Sequence, residues 1–271
     1  MSNRATETFD CADELPRANE FVPARRAGSQ WRTLRGRVMR VAQLALPQHC
    51  ELCVANSGSG LLCAACVADV PRLGACCPVC ALPSEDGACC GACLAHPPPW
   101  SRTTAALVYA FPVDRLLQQL KYGGRLALAD WAGETLASAV RPSFTSRVPS
   151  DRPDRIVALP LATARQRERG FNQAREIAAR VADAIALPLH SPLGRIAGAK
   201  PQAALAWKDR ANNVRGAFRV DKDVRGGRIA LIDDVMTTGA TLAEAARVLI
   251  GAGAADVECW VVARTLRIND G

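Results

Sequence analysis

The residues best equipped for chemistry lie in one stretch, Ile229-Ala230-Leu231-Ile232-Asp233-Asp234-Val235-Met236-Thr237-Thr238-Gly239-Ala240-Thr241. Four apolar residues open it, as in a strand buried on both faces. Two adjacent carboxylates follow, then a short turn of hydroxyls and glycine. Behind the turn, Leu242, Ala245, Ala246, Leu249 and Ile250 recur at spacings of three and four, the period of a helix with one apolar face. The free N–H groups of such a turn, with the positive end of the helix dipole, favour an anion. Thr237, Thr238 and Thr241 add hydroxyl donors, and Gly239 lets the backbone approach a ligand closely. Asp233 and Asp234 suit ribose hydroxyls or a magnesium shell better than phosphate oxygens. The chemistry expected is the holding of a phosphorylated sugar.

A second set of reactive residues is the cysteines. Of twelve in the chain, ten fall between Cys50 and Cys93, eight of them as the pairs Cys50/Cys53, Cys63/Cys66, Cys77/Cys80 and Cys90/Cys93. Each Cys-x-x-Cys turn offers two sulfurs to one tetrahedral metal, so four pairs suffice for one or two structural zinc ions. Adjacent pairs can share a zinc, as in a ribbon, or alternate pairs can, as in a cross-brace. Cys76, Cys89 and His49 are spare candidate ligands. The segment has few large apolar residues and needs such a staple to fold.

A third set is the arginines Arg165, Arg167 and Arg169, which follow the apolar run Arg155 to Leu161 and precede a periodic stretch through Ala174, Ile177, Ala178, Val181, Ala182 and Ile185. Read as a strand, an arginine-rich turn and a helix, this is a second anion site, because arginines near a helix start call for an anionic partner.

The elements that must position these groups follow from the rest of the chain. At 271 residues it accommodates one good core and an accessory module. Residues 1–30 lack periodicity and read as a disordered extension. Residues 31–46 carry four arginines and no acid, with Trp31, Leu34, Val38, Val41 and Ala45 at helical spacing. Such a basic amphipathic helix docks on its own domain, on a membrane or on nucleic acid. Residues 47–97 form the cysteine module, which is acidic before any metal binds, and His96-Pro-Pro-Pro-Trp100 reads as a stiff extended linker. From 101 to 271 strands and helices alternate: a strand from Thr103 to Phe111, a helix from Pro112 to Gly124, and a second helix from about Leu126 to Val140. A surface loop from Arg141 to Asp154 comes next, and a last strand runs from Val257 to Thr265 with Cys259 buried. That order implies a mostly parallel, doubly wound α/β sheet. Residues 195–219 hold six bases against one acid with little periodicity, the pattern of a basic lid over a polyanion. There is no Ser-His-Asp pattern, no secretory h-region and no apolar run of bilayer length, so the cytoplasm is the expected compartment.

The Ile229–Thr241 stretch closely resembles the phosphoribosyl-pyrophosphate (PRPP) motif of type I phosphoribosyltransferases. Taken with the Cys-x-x-Cys pairs, Lys121-Tyr122, Arg169-Gly170-Phe171-Asn172-Gln173, Gln202 and Arg210-x-x-Asn213-Val-x-Gly216-x-Phe218, the chain from about residue 31 resembles the ComF/GntX family. The resemblance implies a zinc-ribbon module on a type I phosphoribosyltransferase-like domain, in proteins associated with natural competence or with DNA as a nutrient. It implies that Val235, Met236, Thr237, Thr238, Gly239, Ala240 and Thr241 bind the 5′-phosphate end of PRPP, and that Asp233 and Asp234 hold the ribose hydroxyls with Mg²⁺. Pro160, Arg165 and Arg167 fall in the implied pyrophosphate loop, Pro160 to Arg169, Asn172 is a further implied PRPP-binding residue, and Lys200 and Arg210 fall in a flexible catalytic loop from Arg195 to Arg215. Asp233, Asp234, Arg169, Lys200 and Arg210 are thereby the catalytic candidates. Ala199-Lys200 departs from the Thr or Ser expected there. The implied partners are PRPP and a nucleobase acceptor. The alternative is a non-enzymatic accessory that binds single-stranded DNA or DNA-uptake proteins.

Overall fold

The structure, a computed structural model, describes residues 48–58, 60–196 and 215–266. The extension 1–30, the basic helix 31–46 and the lid residues Lys200 and Arg210 lie outside the described residues.

A five-stranded sheet forms the body. Its strands are β3 (Arg102–Val108), β4 (Arg155–Ala158), β5 (Leu189–His190), β8 (Arg228–Met236) and β9 (Asp256–Arg264), in the order β3-β9-β8-β4-β5. Every pairing is parallel, with Ile156 opposite Ala230 and Ile232 opposite Trp260. Parallel strands need covering on both faces, and β8 and β9 are buried along most of their length for that reason. On one face lie α3 (Val113–Gly123), α4 (Ala127–Ser146) and α6 (Gln173–Ile185), which bury Leu116, Leu117, Leu136, Ile177 and Val181 with Ile156 and Ile232. On the other lies α7 (Ala240–Gly251), which buries Leu242, Ala245, Ala246 and Leu249 with Leu231 and Val261. A two-stranded antiparallel ribbon, β6 (Leu193–Arg195) with β7 (Phe218–Val220), packs on that same side. The cysteine module holds the remaining short elements, β1 (Gln48–His49), β2 (Asn56–Gly58), α1 (Ala64–Ala68) and α2 (Gly91–Ala95).

Four expectations change. The loop expected from Arg141 to Asp154 is helical to Ser146, with Pro142 inside α4. Tertiary packing outweighs the lost backbone bond: Phe144 meets Trp260 edge-on at 6.3 Å, and beyond the helix Arg147 pairs with the buried Glu258. The arginine-rich turn is a short helix, α5 (Thr163–Arg169), closed by Gly170 at φ 78°. Arg167 and Arg169 therefore occupy its last turn, where the dipole favours cations, so position at a helix start is no argument for an anion there. The irregular basic segment begins and ends in the β6–β7 ribbon, which takes Arg195, Phe218 and Arg219 out of any loop. The stiff linker ends in a buried anchor: Trp100 is 8% exposed, and its indole Nε1 donates to Val79 O at 2.7 Å. The cysteine module is docked on the sheet rather than held away from it.

Candidate functional site

β4 and β8 are neighbours in the sheet, yet the helices that follow them go to opposite faces, α6 to one and α7 to the other. Such a switch point opens a crevice beyond the carboxyl ends of the two strands. Both anion-binding segments read from the sequence begin there, Thr237–Thr241 after β8 and Pro160–Arg169 after β4.

After β8, Thr237 and Thr238 are exposed, and Gly239 caps α7 at φ 80°, a left-handed conformation that disfavours other residues. The Ala240 N–H donates to Thr238 Oγ1 at 3.3 Å, so that hydroxyl helps close the helix start. Asp233 and Asp234 lie within β8 itself, so the strand sets their directions. Asp234 is buried and its Oδ2 lies 2.6 Å from Lys121 Nζ. Burial works against the Lys121 ammonium, but the carboxylates of Asp234 and Asp233 outweigh it and raise its pKa. Burial and the adjacent Asp234 carboxylate push the Asp233 carboxyl well above the usual carboxylate range. A second cation beside Asp233 would reverse that shift, and two adjacent carboxylates are the donor type a hard divalent ion takes.

After β4, Asn172 caps α6 by accepting from Ala174 N at 3.0 Å, and its Nδ2 donates to Leu159 O at 3.0 Å. Its amide thus ties the α5–α6 corner to the strand end instead of facing the crevice. Arg169 stacks on Tyr122, 4.8 Å from the ring centroid, and donates from Nη2 to the Tyr122 hydroxyl at 3.2 Å. Arg165 and Arg167 are exposed, and Pro160 is half-buried.

Three contributors lay outside the candidate list. Lys121 and Tyr122, at the end of α3, meet Asp234 and Arg169, and their only sequence signal is the Leu-Lys-Tyr of the family resemblance. Arg195 on β6 rests 5.2 Å from the centre of the Phe218 ring. Burial and the nearby Arg165 guanidinium lower its pKa, and Asp233 pulls the other way.

The cysteines sort themselves by adjacent pairs. Cys50, Cys53, Cys63 and Cys66 form one cluster and Cys77, Cys80, Cys90 and Cys93 another, all ligand atoms within 4.8 Å of one another. The ribbon pairing holds and the cross-brace does not. Cys53 Sγ and Cys63 Sγ are 3.6 Å apart, Cys80 Sγ and Cys90 Sγ 3.7 Å, close to the edge of a zinc–thiolate tetrahedron, about 3.8 Å for Zn–S bonds of about 2.3 Å. Burial opposes the Cys50 thiolate, but backbone N–H groups of Cys63, Cys53 and Leu52 bring it down to about 6. In the second cluster, backbone N–H groups of Cys90, Cys80 and Val79 likewise overcome burial and bring Cys77 to about 6. Cys66 is pushed up, chiefly by Cys53, and Cys93 by burial and Cys80, so a full set of thiolates requires a bound cation. The clusters are two zinc sites, each of four cysteines. Cys76 and Cys89 stand outside both, and His49 Nδ1 is instead 3.0 Å from Val54 O.

The sequence matches the double zinc ribbon domain over residues 41–94 and the phosphoribosyl transferase domain over residues 155–267. It is 35% identical over 236 residues to "DNA utilization protein YhgH" of Salmonella typhimurium, spanning 82% of this chain and 100% of that protein. The chain belongs to the ComF/GntX family. A second ComF/GntX relative, "Competence protein F" of Haemophilus influenzae, is 30% identical across 80% of this chain and 95% of its own length. Among solved structures, purine phosphoribosyltransferase from Pyrococcus horikoshii aligns at 20% identity and a TM-score of 0.32, over 53% of this chain and 79% of that one. The phosphoribosyltransferase fold follows from the domain match together with the parallel sheet and its flanking helices.

Proposed function

We propose that the protein binds PRPP with Mg²⁺ in the crevice between β4 and β8 and acts as a phosphoribosyltransferase in the use or uptake of DNA. One observation carries the reading: two anion-binding segments start at the carboxyl ends of adjacent strands, with Asp233 and Asp234 beside them. PRPP has a phosphate at one end and a pyrophosphate at the other, which matches that spacing of partners. Thr237 to Thr241 receive the 5′-phosphate, and Arg165 and Arg195, with Arg169 behind them, face the pyrophosphate. Asp233 and Asp234 hold the ribose hydroxyls and the ion's shell, and Lys121 keeps Asp234 oriented. Transfer breaks the bond between C1′ and pyrophosphate, so negative charge grows on the leaving group. The guanidiniums stabilise that charge without a protein nucleophile, and bound Mg²⁺ adds Lewis-acid stabilisation. Lys200 and Arg210 belong to the covering segment, and a nucleobase is the acceptor.

Melting-temperature shifts with PRPP and Mg²⁺ test the reading. A rise in wild type that is lost in Asp234→Ala and Thr238→Ala is expected; no rise, or an equal rise in all three, sinks it. Release of pyrophosphate across a panel of nucleobases then tests transfer.

The relatives' names, DNA utilization and competence, favour a second reading in which the fold serves as a non-enzymatic accessory that binds single-stranded DNA or DNA-uptake proteins. Salt-dependent binding of single strands that weakens when Arg32, Arg35, Arg37 and Arg40 are neutralised supports it, and no binding at low salt removes it.

A further inference from the structure

The second zinc cluster lies against the phosphate loop through its backbone. In the turn Cys77-Pro78-Val79-Cys80, three successive carbonyls are engaged by the phosphoribosyltransferase-like domain. Pro78 O accepts from Thr103 N at 2.9 Å. Val79 O accepts from Trp100 Nε1 at 2.7 Å and from Thr103 Oγ1 at 2.6 Å. Cys80 O accepts from Arg264 Nε at 2.8 Å. The same Arg264 guanidinium, 4% exposed, donates from Nη1 to Met236 O at 2.8 Å, to Thr237 O, and to Thr265 O at 3.0 Å. One side chain therefore spans from a zinc ligand's own carbonyl to the first residues of the Thr237–Thr241 loop. Trp100 makes a second span. Its Cη2 lies 3.2 Å from where a Cβ on Gly239 would sit, so the indole walls the loop's glycine while its N–H holds the turn.

A Cys-x-x-Cys turn keeps its carbonyls in fixed directions because both sulfurs are tied to one ion. Closure by Ala81 N to Cys77 O and by Cys77 N to Leu82 O, both 2.8 Å, shapes the turn but leaves it within a segment that has little core of its own. The first cluster is wired differently. Cys50, Leu62 and Val70 pack into the core on the α3, α4 and α6 face, and Glu51 pairs with Arg125 between α3 and α4. The two zinc sites thus engage different parts of the domain.

We propose that Arg264 and Trp100 are positioning residues for the phosphate loop, and that zinc in the Cys77/Cys80/Cys90/Cys93 site sets that loop's affinity for its anion through them. The affinity part rests on the PRPP reading of the loop; the positioning part does not. Loss of zinc frees the Pro78–Cys80 carbonyls, releases the outer ends of both spans and loosens residues 236–241. By linkage the effect is reciprocal, so ligand in the loop tightens zinc in the second site by the same factor.

Amide hydrogen exchange over residues 236–241 tests positioning on the full-length, zinc-loaded chain without ligand. Cys90→Ser opens the second site, Cys63→Ser opens the first, and Trp100→Phe keeps both zincs and the aromatic wall but removes the donor to Val79 O. Faster exchange at 236–241 is expected in Cys90→Ser and Trp100→Phe, with a clearly smaller rise in Cys63→Ser. Equal rises in the two cysteine variants, or an unchanged loop in Trp100→Phe at two zincs per chain, overturn the proposal. If Cys90→Ser unfolds broadly, Trp100→Phe decides alone. Calorimetry with PRPP and Mg²⁺ reads the affinity part: about tenfold weaker binding is expected in Cys90→Ser, together with about tenfold tighter zinc retention against a chelator when PRPP is present. Unchanged affinity in a variant whose loop has loosened overturns that part. Absence of PRPP binding by wild type overturns the PRPP reading while the exchange result still stands on its own.

Discussion

Lys121 Nζ lies 2.6 Å from Asp234 Oδ2, which joins the end of α3 to the acidic end of β8. The two side chains come from opposite ends of the domain's sequence and meet only because α3 and β8 share a packing face. The pair fixes the direction of one carboxylate, while Asp233 Oδ1 accepts from Asp234 N at 2.9 Å.

Removing one member of a buried pair leaves a stranded charge. Lys121→Met is expected to lower stability by about 2–3 kcal/mol, less than for a fully buried pair because 18% of the Lys121 side chain remains exposed. Adding Asp234→Asn should restore part of that loss. Urea unfolding of the two singles and the double measures it, and strict additivity would deny the coupling.

Asp233 makes a prediction about pH. Its carboxyl is raised in the folded chain, so the folded state holds that proton more firmly than the unfolded state does. Its ionisation therefore opposes folding, by an amount that is nil below the ordinary carboxylate value of about 4 and grows as pH rises through the folded value. Without ligand or Mg²⁺, Asp233→Asn should be more stable than wild type at neutral pH, and the advantage should vanish below about pH 4. Denaturant titrations across that range measure it. An advantage that does not change with pH would contradict the assignment.

The sulfur geometry predicts two zincs per chain. Cys76→Ser and Cys89→Ser should retain both ions by elemental analysis, whereas Cys53→Ser and Cys80→Ser should each lose about one. Strong chelation should unfold the segment 48–95, since α1 has no buried residue and α2 only Cys93. Circular dichroism and limited proteolysis report that loss.

Gly239→Ala meets two obstacles. Its φ of 80° costs a residue with a side chain about 1–2 kcal/mol, and its new methyl would press on Trp100 at 3.2 Å. A loss of stability of at least that size is expected, along with weaker anion binding. A neutral substitution would mean that the loop rearranges freely.

Much of this molecule is legible locally. The apolar run Ile229–Ile232, the acids, the Thr-Thr-Gly-Ala-Thr turn and the following helical period occupy one contiguous stretch, and a local motif survives in any fold that keeps the strand and helix it joins. The cysteine pairs are legible for the same reason, since a Cys-x-x-Cys turn is a unit of four residues. Reading failed where neighbours in space outweighed neighbours in sequence. Pro142 signals a helix end, but Phe144 against Trp260 and Arg147 against Glu258 carry the chain past it. The arginines at 165–169 read as flanking a helix start, yet they form a helix of their own.

By itself the sequence determined the parallel α/β class, the strand, turn and helix around Thr237–Thr241 and the eight zinc ligands, because each depends on residue types a few positions apart. Only the tertiary structure decided which cysteine pairs share a zinc, that Lys121 answers Asp234, that Arg195 rests on Phe218, and that Arg264 joins Cys80 to Thr237. Those relations depend on distances between segments far apart in the chain, and such distances exist only once the sheet, its two helical faces and the docked zinc module have closed around one another.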